Sequence, residues 1–144
     1  MLKTTHKLAR TICLFLSQDA SKIPVKSLLD QPNQPRFDHF QVHQMLQTIA
    51  FSVPVIPEAY VAAIEELQRF RVRVPLQHGN CKSAVLVSLV IACKLVDDDF
   101  VLKKSKCMYK NYQILEREFC KIVGYQTFVD QAQYNSAYSL YNSE

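Results

Sequence analysis

Glycine is nearly absent: Gly79 and Gly124 are the only two in 144 residues. Tight hairpins need Gly or Asn at positive φ, so this scarcity disfavours a many-turned β protein. Paired cysteines are lacking as well. Cys13, Cys81, Cys93, Cys107 and Cys120 are odd in number, none forms a CxxC pair, and several sit inside apolar runs. They read as reduced core residues, which points to the cytoplasm or the nucleus. Long apolar runs are missing too. The longest, from Ala84 to Cys93, is far short of the ~18 residues that span a membrane. Met1 to Ser17 mixes basic and apolar residues as a signal peptide does. Lys7 and Arg10 interrupt it, however, and Ile12 to Leu16 falls short of an h-region of about 7–15 residues.

Catalytic signatures are equally scarce. There is no Gly-rich phosphate loop, GxSxG elbow, HExxH or Walker motif. His39 and His43 are four apart and would share a helix face. That spacing can hold zinc, but no third ligand is evident, and a surface or capping role is expected. His6 and His78 stand alone. Asp97, Asp98 and Asp99 lack the alternating ligands, central Gly and terminal Glu of an EF-hand. Glu65 and Glu66 read as solvated charges on a helix. The expectation is a chain that binds a partner without metal or cofactor and does not itself catalyse a reaction. Net charge is +4, and the basic residues are scattered apart from Lys103, Lys104 and Lys106. That short cluster reads as a solvated loop, not as the basic stripe of a nucleic-acid binder.

What the chain does have is apolar residues, 49% of the total, enough for a folded globular domain. Their spacing predicts six helices. The first covers about Thr5 to Ser17, with Leu8, Ile12, Phe15 and Leu16 at helical intervals. Pro24, Pro32 and Pro35 then exclude a long helix from Gln18 to Arg36, leaving room for a turn of helix at Lys26 to Leu29. The second spans about Gln41 to Ala50, with Asp38 and Gln41 suited to a capping box. Pro57 opens the third, which ends near Arg71. The fourth follows Asn80, a good N-cap residue, and is apolar on every side to Val96, the mark of a buried central helix. The fifth covers about Tyr109 to Val123, with Gly124 as its C-cap. The sixth starts at Asp130, where Gln133 completes a second capping-box pair. One buried helix wrapped by five amphipathic ones makes a compact all-α domain.

Lys94 stands at the end of the buried fourth helix, and Glu116, beside the inner face of the fifth, is its natural counter-charge. A lysine there can simply snorkel to solvent and favour the helix C-terminus. It can also be the polar anchor of an apolar docking patch.

The text of these helices resembles a known family. Ser83 to Phe100, SAVLVSLVIACKLVDDDF, resembles the third helix of the cyclin box, closest to the P/U-type and fungal phosphate-regulon cyclins. YQILEREFCKIVGY, from Tyr112 to Tyr125, is similar to a later box segment with a Leu-Glu-x-x-Phe core. AAIEELQRF, from Ala62, resembles the second box helix. QVHQMLQTI, from Gln41, resembles the first. Phe128 to Tyr141 resembles the fifth, and Leu8 to Ser17 the helix before the box. The resemblance implies residues 1–36 as an N-terminal helix with an irregular segment, and 37–144 as a single cyclin-box-like domain of five helices. It implies a regulatory subunit that packs on the C helix of a cyclin-dependent protein kinase and activates it. Lys94 and Glu116 would hydrogen-bond to the kinase backbone, with Leu95, Phe119 and Cys120 as apolar contacts. The chain would be monomeric apart from the kinase. The chain departs from the pattern at Gln68, where an Asp is usual, at Thr48, where an Arg is usual, and in the short connection Val101 to Met108. Two other uses of the same fold stay open: a nucleic-acid or transcription-factor binding module, and a scaffold that no longer activates a kinase.

Overall fold

A computed structural model describes residues 2–32, 34, 36–98, 100 and 111–143. Among the described residues are six α-helices and no strand: α1 (Leu2–Asp19), α2 (His39–Ser52), α3 (Pro57–Arg73), α4 (Cys81–Val96), α5 (Tyr112–Ile122) and α6 (Gln131–Asn142). The all-α class expected from apolar spacing is the one observed. The lysine cluster 103–106, Cys107, the connection Val101 to Met108 and the expected start of the fifth helix at Tyr109 lie outside the described residues.

Local chemistry explains where most helices begin and end. At α2, Asp38 Oδ1 accepts from Gln41 N at 2.9 Å while Asp38 N donates to Gln41 Oε1 at 3.0 Å, a complete capping box. Asp130 and Gln133 repeat it at α6, at 2.8 and 3.0 Å. Pro57 occupies the first turn of α3, where a missing N–H costs nothing. After α5, Gly124 (φ 68°) and Tyr125 (φ 61°) both turn left-handed, and Tyr125 N donates back to Cys120 O at 2.7 Å.

Asn80 departs from expectation. It precedes α4 but makes no side-chain cap bond. Its amide instead donates to Pro75 O at 3.0 Å and accepts from Gln77 N at 3.0 Å, so it braces the buried approach to the helix. The helical turn expected at Lys26 to Leu29 is reduced to a turn closed by Asp30 N donating to Ser27 O at 3.2 Å.

The largest difference concerns the centre. Every residue of α4 from Ser83 to Cys93 is buried, as its nearly all-apolar text predicts. Yet α3 is nearly as enclosed and packs against α1, α4, α5 and α6. Ala59 to Ile64, Glu66, Leu67 and Phe70 are all buried in it. The core therefore has two inner helices, not one. The alanines of α3 are small enough to let neighbouring backbones close over it, and its charged residues disguise its burial in the sequence.

α1 joins the same core through Leu8, Ile12 and Phe15. Three polar ties hold its first half to α6: Lys7 Nζ donates to Asn142 Oδ1 at 2.7 Å, Arg10 Nη2 donates to Tyr141 O at 3.4 Å, and Tyr141 OH donates to Thr4 O at 3.1 Å. Its end is fixed more firmly. Asp19 is fully buried and accepts from Arg71 Nε at 2.9 Å, Arg71 Nη2 at 3.0 Å, Leu76 N at 2.8 Å and Lys22 Nζ at 2.8 Å. The Arg71 guanidinium lies over the Phe15 ring, 4.1 Å from its centroid. One carboxylate thus joins the ends of α1 and α3 to the chain entering α4.

Candidate functional site

The burial of α4 stops abruptly. Cys93 is fully enclosed, and the next two residues, Lys94 and Leu95, are exposed. Lys94 Nζ reaches across to α5 and donates to both carboxylate oxygens of Glu116, each at 2.9 Å. The counter-charge expected from the sequence is therefore the partner in the structure. The two side chains retain 48% and 26% of their exposure. An ion pair so open to water contributes at most about 1 kcal/mol to stability. Its accessible polar atoms are available to a partner's backbone N–H and C=O groups.

The flank of this pair is partly apolar. Leu95 is 37% exposed, and Cys120 is half-buried one turn beyond Glu116. Burial pushes the Cys120 thiol up. Glu116 and Glu66 add to that rise and Lys94 opposes it. A thiol raised in this way stays protonated near neutral pH, which disfavours its use as a nucleophile.

Phe119 is a correction. The resemblance places it on the contact face, but it is fully buried and stacks on Phe70, with ring centroids 5.3 Å apart and planes 4° apart. The Leu-Glu-x-x-Phe spacing turns Phe119 inward with Leu115, leaving Glu116 and Cys120 toward the flank. The exposed face of the candidate site is therefore limited to Lys94, Leu95, Glu116 and Cys120, with Phe119 in the core beneath.

Glu66 is a second correction. Its text reads as solvated, but it is fully buried on the inner side of α3. Its Oε1 accepts from Arg69 Nη1 at 3.2 Å, and its Oε2 is buried without a partner. Desolvation outweighs the help from Arg69, and Glu65 adds repulsion, so the Glu66 carboxyl is pushed up to about 8. It is protonated at neutral pH, which relieves the cost of burying a charge. Glu65 is held in a looser pair with Arg69 Nε at 3.4 Å.

Two of the positions at which the sequence departs from the resemblance, Gln68 and Thr48, have local partners. Gln68 Oε1 accepts from Arg71 Nη1 at 3.3 Å, and Thr48 Oγ1 donates to Gln44 O at 2.9 Å. His78 accepts from Phe37 N at 2.8 Å and stacks on its ring. Among the described residues, no three His, Cys, Asp or Glu side chains are placed to hold a metal ion, and no helix is long and apolar enough to cross a membrane. Compared with protein families, curated proteins and solved structures, the chain matches none.

Proposed function

We propose that the chain is a cyclin-type regulatory subunit of a protein kinase, a binding partner that does no chemistry of its own. The observation that carries this reading is the exposed Lys94–Glu116 pair at the end of an otherwise buried helix, flanked by Leu95 and Cys120. It lies on the two segments whose text most resembles the cyclin box. Binding would place the α4 end and α5 against the kinase C helix. Activation then follows only if the chain binds the active arrangement of that helix more tightly than the inactive one. In that arrangement the C-helix glutamate pairs with the kinase's phosphate-binding lysine. Such a subunit works in the cytoplasm or the nucleus.

Use of the fold to bind nucleic acid has less support. That reading needs Arg69, Arg71 and Arg73 to join the lysines near position 103 in one basic face. Arg69 is committed to Glu65, Glu66, Gln126 O and Gln133, and Arg71 to Asp19, Gln18 and Gln68. Two of the three arginines therefore spend their donors inside the protein.

Capture from a cell extract tests the proposal. The wild type is expected to retain a cyclin-dependent kinase, and the double variant Lys94→Glu, Glu116→Lys to lose it. The variant should unfold within about 1 kcal/mol of the wild type, because the pair is exposed. If wild type and variant retain the same kinase, the anchor is misplaced. If neither retains a kinase, the regulatory reading fails.

A further inference from the structure

Three histidines, His6 from one segment and the neighbouring His39 and His43 from another, meet where the first turns of α1 and α2 touch. The His6 ring lies 4.7 Å from that of His39, at 66°, and 5.8 Å from that of His43, at 72°. Both are edge-to-face contacts, favourable between neutral aromatic rings. His39 and His43 are one turn apart on α2 and approach His6 on α1 from one side. His6 is exposed, His39 and His43 are partly buried, and the Nδ1 of His43 is buried without a hydrogen-bond partner.

We infer that this seam is a proton-sensitive contact: near neutral pH the three rings pack together, and acidification puts a positive charge on His39 inside the contact and loosens the first half of α1 from α2. The charged groups around the seam favour that outcome. Arg10, one turn from His6 on α1, adds a permanent positive charge that acts on His39. From the α2 side the opposing group is Asp38, and its carboxylate is already engaged in capping the helix. Burial holds His39 below its ordinary value of 6.5, and His6, His43 and Arg10 lower it further while Asp38 opposes them. A base lowered in the folded state binds fewer protons there than when unfolded. The contact is therefore at full strength above 6.5 and weakens as pH falls below it. The opening would be local, because Asp19, with its carboxyl near 2, keeps the far end of α1 attached to α3 across this range.

The proton-sensitive seam does not depend on the kinase reading. Its test is amide hydrogen exchange of the full chain at about pH 7.5 and about pH 5.5, corrected for intrinsic rates and read separately for α1 and α4. Protection in residues 4–10 is expected to fall about tenfold or more on acidification, while α4 holds its protection. In His39→Gln, which removes the group that gains the charge, the fall should largely vanish. Arg10→Gln, which removes a fixed charge acting on His39, should shrink the fall if His39→Gln proves unstable. Equal protection of α1 at both pH values would overturn the inference. So would the same fall in the variants as in the wild type.

Discussion

Replacing Asp19 with alanine is expected to cost about 3–5 kcal/mol of folding stability, a large effect for one polar side chain. The carboxylate is fully buried, and its removal strands two groups at once. The Arg71 guanidinium would keep its charge at a site where its side chain is only 10% exposed, and Leu76 N would lose a bond of 2.8 Å. Denaturant melts of the wild type and Asp19→Ala measure the difference directly. Asp19→Asn should retain part of the bonding and fall between the two. A loss under about 1 kcal/mol for the alanine variant would mean that α1 is not tied to α3 in this way. The acid limb gives a second check. Burial pushes the Asp19 carboxyl up, but the bonds from Arg71, Lys22 and Leu76 N outweigh it and hold the group at about 2. An acid lowered in the folded state stabilises above its unfolded value of 3.8, and that contribution is lost as pH falls through about 2.

Glu66 has the opposite sign. Its carboxyl is raised to about 8 from an unfolded value of 4.5. The folded state binds an extra proton between those values, so stability is complete below 4.5 and declines as pH rises through 8. On the order of 5 kcal/mol should be lost across that span. Glu66→Gln keeps the shape and can still accept from Arg69, but it carries no charge. Its melts should therefore be nearly flat between about pH 7 and about pH 9, above the range in which the histidines act, and more stable than the wild type at the alkaline end. If the variant follows the wild-type pH dependence, the carboxylate is not the source of it.

These two residues also show where a sequence stops being legible. Properties set by neighbours a few residues apart can be read in advance. The nearly all-apolar text from Ser83 to Cys93 announces a buried helix, and the Asp38–Gln41 and Asp130–Gln133 pairs announce two helix starts. Contacts across long separations cannot. Asp19 and Arg71 are 52 residues apart, and nothing local distinguishes either from a surface charge. Glu66 follows Glu65 on a helix with charged residues on both sides, so its text looks solvated until α4, α5 and α6 are folded onto α3. The histidines are half visible. Positions 39 and 43 share a face by helical spacing, but His6 joins them only through the packing of α1 on α2. Phe119 fails for a subtler reason. A family motif names residues that face a partner and residues that face the core alike, and only the phase of α5 separates them.

The measurement closest to the central proposal is the phosphoryl-transfer rate of the kinase that the chain captures, purified free of its own activator, with and without added chain. The rate should rise with the fraction of kinase bound and saturate with it, because binding selects the active position of the C helix. Lys94→Glu, Glu116→Lys should leave the rate at its basal level while the variant remains folded. A wild-type chain that binds the kinase and leaves its rate unchanged would contradict activation.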